Sequence, residues 1–339
     1  MNNNASVDKR QTKHANGKVR RQKSKSHLSK YSPIFFLPTA LTFCIGFLIP
    51  FLWGIYLSFF EFRTVQKLRF VGFENYVKAF SDPQFWYSFG FTALFTVVSV
   101  LLINIIAFAV AYVLTRAIRG TNIFRTVFFM PNLIGGIVLG FIWQIILNGI
   151  LANYGMNVTS NTQNAFWGLI ILMCWQQIGY MMIIYIAGLQ SVPETLIEAA
   201  KIDGASPART LFKVTIPIVR PSITICTFLT LTNSFKLYDQ NAALITSSNP
   251  SVVLENGQTI QTASTIARNI VDQFNETYLS ANGTAQAKSI IFFVFVVIIS
   301  LVQLRLTKKK EIQQCKKQFN TKNTVQLRIV KMLGRGKRK

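Results

Sequence analysis

The side chains in this sequence with the means to handle a solute are amides and aromatics, not nucleophiles. Trp175, Gln176, Gln177 and Tyr180 fall together in the stretch 175–180. A ring-shaped polyol calls for such a set, because its hydroxyls need planar hydrogen-bonding partners and its flat C–H faces need aromatic surface. The bland reading of the same residues is that Trp and Tyr pack a helix bundle. Asn233, Lys236 and Asp239 form a second set, in which Lys236 and Asp239 stand three apart and share one helical face where they can pair. Ionised groups within apolar runs are costly, so they pair, face a cavity or carry function. A structural ion pair and a polar lining of a solute path are both open.

Reactive constellations are missing. There is no GxxxxGK[ST] loop, and GTAQAKS at 283–289 lacks the glycine that should precede Lys288. No HExxH, nucleophile elbow or pair of facing carboxylates occurs, so we expect no catalytic residues, no metal site and no cofactor bound by this chain. Cys44, Cys174, Cys226 and Cys315 have no paired spacing, which argues against a disulfide framework or a zinc site.

The elements that must position these residues are membrane spans. The chain has 339 residues, 50% of them hydrophobic and only 14% charged, against roughly a quarter charged in soluble domains. Its formal charge of +24 is concentrated at the ends, with nine Lys/Arg in 1–33 and thirteen in 305–339. Basic tails flanking an apolar body are the signature of a membrane boundary, not of a nucleic-acid surface. A bilayer core about 30 Å thick needs about 20 apolar helical residues. Six stretches qualify, at about 34–60, 87–114, 124–147, 166–189, 219–246 and 287–306, with an Asn-rich hairpin at 148–164 between the third and fourth. The fold class expected is therefore an all-α membrane protein of six transmembrane helices, with a permease domain at 34–306 and basic tails at 1–33 and 307–339. Lys and Arg in the short connections place both termini in the cytoplasm of a bacterial cell membrane. Trp143 and Gln144 fit an interfacial belt, and Asn104 is expected to bond a neighbouring helix.

The longest inner connection, 190–217, reads QSVPETLIEAAKIDGASPARTLFKVTIP. Ser191 can cap a helix with Pro193 in its first turn, and Gly204 suits the left-handed residue that ends it. Ser206-Pro207 repeats the start signal for a second short helix that Pro217 should break. The result is a short helix–turn–helix beneath the membrane.

EAA at 198–200, Gly204 and the Ile216-Pro217 pair together resemble the coupling loop of ABC transporter permeases. Stretches such as FVGFENYVKAFSDPQFW (70–86), FRTVFFMPNLIGGIVLGFIW (124–143) and FKLYD (235–239) resemble the sugar-importing branch of that family. The resemblance implies that Glu198, Ala199, Ala200, Asp203, Gly204, Ile216 and Pro217 take contact and turn roles against a separate ATPase, and that ATP and Mg are bound there. It also implies a second permease subunit, two cytoplasmic ATPase subunits and an extracytoplasmic sugar-binding protein as partners. An ion-coupled secondary carrier working through Lys236 and Asp239 is the alternative, although it leaves the inner helix–turn–helix without a role. TSSNP at 246–250 departs from the glycine-rich turn common in the family.

Overall fold

A computed structural model describes residues 28–63, 66–116, 119–246, 249–276 and 282–307, so nearly all of the two basic tails lies outside the described residues. The chain divides into two compact units, residues 1–54 and 55–339. The first holds most of α1 (Phe36–Leu57), a largely apolar helix whose 22 residues can reach across a bilayer. One turn of that helix, Cys44–Leu48, is widened to π geometry.

In the second unit, β1 (Phe60–Arg63) and β2 (Gln66–Phe70) form an antiparallel hairpin, followed by the short α2 (Glu74–Ser81). The long α3 (Pro83–Leu114) starts where sequence chemistry says it should. The Asp82 carboxylate accepts from the Gln84 N–H at 2.9 Å, and Pro83 fills the first turn, where its missing donor costs nothing. Next come α4 (Thr121–Leu133), α5 (Gly136–Ala152), α6 (Thr162–Gln190), α7 (Glu194–Ile202) and α8 (Pro207–Phe235). A single-turn helix α9 (Asp239–Leu244), a hairpin of β3 (Ser251–Val253) and β4 (Thr259–Gln261), α10 (Ile266–Glu276) and α11 (Gly283–Thr307) complete the described chain. Among the described residues five helices are long and apolar enough to cross a membrane, and α4 with α5 make a sixth span if that bent pair is one crossing.

The buried axis of this unit is α6. Leu169, Leu172, Met181 and Met182 on it are wholly inaccessible, and α3 and α8 pack along its sides. Glycines set the closest approaches. A Cβ on Gly179 would overlap the Phe128 carbonyl of α4, and one on Gly188 would overlap the Ser222 side chain of α8. Small residues at helix crossings are how membrane bundles gain contact in the absence of a hydrophobic driving force. Asn104 ties three helices together, as its sequence position suggests: its side chain donates to Thr230 Oγ1 at 3.3 Å and accepts from the Tyr185 hydroxyl at 2.7 Å.

Four expectations need correcting. The third span is not one straight helix, because α4 and α5 meet at 102° across Ile134 and Gly135. Pro131 and two adjacent glycines disfavour a continuous ladder there. The fifth span does not run unbroken to Thr246, since α8 ends at Phe235 and α9 begins at Asp239. Ser191 closes α6, its hydroxyl donating to the Gly188 carbonyl at 2.7 Å, and Pro193 itself takes the N-cap position of α7. Finally, Pro217 does not break its helix. The turn Leu211–Thr215 just before it is widened to π geometry, and the helix continues past both Pro217 and Pro221. Such a turn re-registers the backbone bonds and accommodates the missing proline donors.

At the far end of α3 from the helix–turn–helix, Lys288 lies inside α11 and is 1% exposed. Its ammonium pairs with Asp82 and reaches Asn269 Oδ1 at 3.5 Å. Lys288 thus clamps the starts of α3 and α11 to α10.

Candidate functional site

Two regions of the second unit collect the residues singled out above. One is a polar junction halfway along α6; the other is the exposed helix–turn–helix at one end of the bundle.

Gln176 is the midpoint of the 29-residue α6, and both it and Gln177 are buried. Each amide is satisfied by a broken element. Gln177 Oε1 accepts from Asn233 Nδ2 at 3.1 Å, on the last turn of α8. Gln176 Oε1 accepts from Gln240 Nε2 at 2.9 Å, on α9, while Gln176 Nε2 donates to the Ile134 carbonyl at 3.5 Å, at the bend between α4 and α5. The two helix breaks therefore converge on one pair of amides. Backbone left unpaired at membrane depth is tolerated only where protein or a water-filled cavity covers it, and discontinuous helices of this kind mark solute sites in many transporters.

Glycines hold the junction shut on its far side. A Cβ on Gly136 would stand 2.9 Å from the Asp239 Cβ and from Gln240 Cδ, and one on Gly140 would overlap the Ala243 side chain. Gly136 and Gly140 are four apart on one face of α5, so α9 lies directly against that helix.

Not all the predicted residues join this arrangement. Lys236 and Asp239 belong to different elements, are both exposed and form no ion pair among the described residues. Their spacing of three reflects a helix ending and another beginning. A cation suits the negative end of α8, and an acid suits the first turn of α9. Tyr180 packs against the main apolar core. Trp175 is 42% exposed and meets Trp143 edge to face, with ring centroids 5.7 Å apart. Trp143 therefore stands against the residue that precedes Gln176, and Gln144 donates to Thr246 Oγ1 at 3.1 Å. Gln240 is the residue that sequence reasoning missed. The signal for Gln240 was the Gly136/Gly140 spacing, which calls for a close partner helix.

At the end of the bundle, α7 closes in a Schellman motif. Gly204 has φ +73°, Ala205 N–H donates to the Ala200 carbonyl at 2.9 Å, and Gly204 N–H donates to Lys201 at 3.0 Å. Ser206 Oγ then accepts from the Arg209 N–H at 3.3 Å and starts α8. Glu198, Ala199 and Asp203 are exposed, whereas Ala200, Ile216 and Pro217 are half-buried. Ile202 is 86% exposed and Phe212 67%, so an apolar surface is presented to something other than the chain itself. Between α7 and the end of α3 lies an open groove of about 800 Å³, lined among others by Tyr112, Arg116, Ile197, Lys201 and Leu211.

The same architecture occurs in known transporters. The chain superposes with a TM-score of 0.69, at 18% sequence identity and over 83% of its length and 97% of the other chain, on a subunit of a bacterial ABC transporter involved in the import of the acidic polysaccharide alginate. That likeness speaks for the fold. Sequence relatives include the probable starch degradation products transport system permease protein AmyD of Thermoanaerobacterium thermosulfurigenes, 40% identical over 83% of this chain and 94% of that one. The sn-glycerol-3-phosphate transport system permease protein UgpA of Brucella abortus is 28% identical over 83% of this chain and 96% of its own. Residues 119–312 match the family described as binding-protein-dependent transport system inner membrane component. The chain belongs to that family: it is a membrane-spanning permease subunit of an ABC importer, a transport subunit and not an enzyme.

Proposed function

We propose that this permease carries an uncharged sugar or oligosaccharide, and that movement of the loop 190–217 by a separate ATPase subunit opens and closes the polar junction at Gln176 and Gln177. One observation supports the reading above all. The second helix of the loop is the first turn of α8, which runs without a break from Pro207 to Phe235 and carries Asn233 at its far end. At 1.5 Å per residue this 29-residue rod is about 43 Å long. A push on the exposed loop is therefore transmitted to the hydrogen bond between Asn233 and Gln177 by one element.

The two named relatives differ in cargo, one handling starch degradation products and the other a phosphorylated polyol. Amides and a pair of indoles favour the first class, because a phosphate calls for guanidinium or ammonium groups aimed at it. Lys236 stands near the junction but is exposed and offset by Asp239 three residues on. The ion-coupled alternative has lost its premise, since Lys236 and Asp239 are neither paired nor on one helix.

In this reading both termini and the loop are cytoplasmic, and ATP and Mg are bound by two ATPase subunits. A second permease completes the path, because six spans are too few to enclose an oligosaccharide, and an extracytoplasmic sugar-binding protein delivers the cargo to the opposite face. Glu198, Ala199, Ala200, Asp203, Gly204, Ile216 and Pro217 form or support the ATPase contact. Trp175, Gln176, Gln177, Asn233 and Gln240 line the path, with Tyr180, Lys236 and Asp239 at its margins.

The test is a cysteine at Ala199 crosslinked in membranes holding the assembled transporter. Capture of an ATPase subunit, reduced by Glu198→Lys, is expected. If only lipid or a second permease is captured, the coupling assignment fails. Uptake of labelled maltodextrin in preference to sn-glycerol 3-phosphate by reconstituted transporter is the matching expectation for cargo, and the reverse preference refutes it.

A further inference from the structure

Of the helices that meet at the polar junction, α9 is the one least able to hold itself. Its six residues fall well below the roughly 12–15 at which an isolated helix becomes marginal, so its neighbours must fix it. On one side it lies against Gly136 and Gly140 of α5. On another it meets α10 and the residues just before α10. Thr265 Oγ1 donates to the Leu237 carbonyl at 2.7 Å, ahead of α9, and Asn241 Nδ2 donates to the Ala263 carbonyl at 2.9 Å. Arg268 completes this grip. Its Nη1 donates to the carbonyls of Asn241 at 3.2 Å and Ile245 at 3.0 Å, at the end of α9, where carbonyls run out of partners within the helix. Its Nε donates to Asp272 Oδ2 at 3.1 Å, one turn on in α10, and the side chain is only 13% exposed. The carboxylate aims the guanidinium, and a cation suits the negative end of a helix.

Arg268 is the only Lys or Arg between Lys236 and Lys288. The seat of α10 does not depend on it. Ile266 and Ile270 bury against Phe85, Ala287 and Ile291, and Asn269 Oδ1 accepts from Lys288 Nζ at 3.5 Å. Among the described residues, each bond of the guanidinium that leaves α10 goes to α9 or to Ile245, which caps it. Fixing α9 fixes Gln240, whose Nε2 donates to Gln176 Oε1 at 2.9 Å. A lysine would be a poor substitute, because a single ammonium cannot span the carboxylate and both carbonyls as a planar fork does.

We propose that Arg268 is a positioning residue for solute recognition. Acting through α9, it holds Gln240 against Gln176 and so sets how tightly the junction takes its solute, from the end of the bundle opposite the loop 190–217. This role rests on the reading of the junction as the solute path. With its guanidinium committed to protein acceptors, Arg268 acts only through α9.

The experiment is a double-mutant cycle on uptake of labelled maltodextrin by the assembled, reconstituted transporter, with thermal unfolding and amide hydrogen exchange recorded on the same variants. Arg268→Gln is expected to raise KM about fivefold and to change kcat by less than about twofold. It should also speed exchange at the Ala242 and Ile245 amides, which close α9, and leave those of α6 unchanged. Arg268→Lys, which keeps the charge beside the α9 carbonyls, should return KM to within about twofold of the native value. In a Gln240→Leu background Arg268→Gln should raise KM no further, because the contact it supports is already gone. Should Arg268→Gln fail to assemble, Asp272→Asn keeps the guanidinium and removes the carboxylate that aims it; the same pattern is then expected at about twofold. An unchanged KM with a lowered melting temperature, as a merely structural tie would give, overturns the proposal. So does a KM rise that is undiminished in the Gln240→Leu background. A KM that responds to neither Gln240→Leu nor Gln177→Leu refutes the junction reading as well, whereas one that responds to both and not to Arg268→Gln refutes this role alone.

Discussion

Replacing Gly204 by valine isolates the role of the turn between α7 and α8. The residue adopts φ +73°, and a Cβ built there meets nothing within 4 Å. The substitution therefore creates no clash, and its whole cost is conformational. Holding an L-residue in the left-handed region costs roughly 1–2 kcal/mol, more so for a β-branched side chain. That shifts the population of the closed turn by a factor of about 5–30. The Ala205–Ala200 and Gly204–Lys201 hydrogen bonds that fix the direction of α8 relative to α7 depend on this turn. Global unfolding should hardly change, because the turn is exposed and remote from the α6 core. The assay is ATP hydrolysis by the reconstituted transporter with and without loaded binding protein. Stimulation by the loaded protein is expected to fall severalfold in Gly204→Val, to be nearly normal in Gly204→Asn, which tolerates this region, and to leave the melting temperature within a degree or two. If Gly204→Val is stimulated as fully as the native protein, the turn does not have to be held in this form and the lever argument is wrong.

Other substitutions separate the junction from its scaffold. Gln177→Leu leaves the Asn233 amide without its acceptor and should raise the KM for the transported sugar more than it lowers stability, at about 1–2 kcal/mol, measured by uptake and thermal unfolding. Gly140→Val forces α5 away from Ala243 and Leu244 and should cost about 1–3 kcal/mol through overpacking, seen as a lower melting temperature together with impaired uptake. Lys288→Met leaves Asp82 unpaired next to a buried site. Because Asp82 retains 22% exposure, we expect about 2–3 kcal/mol, below the 3–5 typical of a fully buried pair, and substantial recovery when Asp82→Asn is added.

What could be read from the residues alone, and what could not, divides along one physical line. Spans, caps and turns depend on local composition. Thus the apolar run of α6, the Ser206-Pro207 start of α8 and the left-handed Gly204 were legible from their own neighbourhoods. The helix breaks were not, because whether an apolar stretch continues or stops is decided by what packs against it. The run 219–246 as a whole is apolar enough to read as one helix. It stops because α9 gains contact with Gly136 and Gly140 of α5, a partner a hundred residues away in sequence. Pro217 misleads in the opposite direction: taken alone it reads as a stop, yet a π turn upstream absorbs its missing donor. Both misreadings have the same consequence for function. Moving the break from Pro217 to Lys236 turns α8 from an ordinary span into a rod that joins the exposed loop to Asn233. The same shift takes Lys236 and Asp239 off a shared helical face and places Gln240 opposite Gln176. Long-range glycine contacts, unseen in any local window, thus determine both which side chains line the junction and which element can move them.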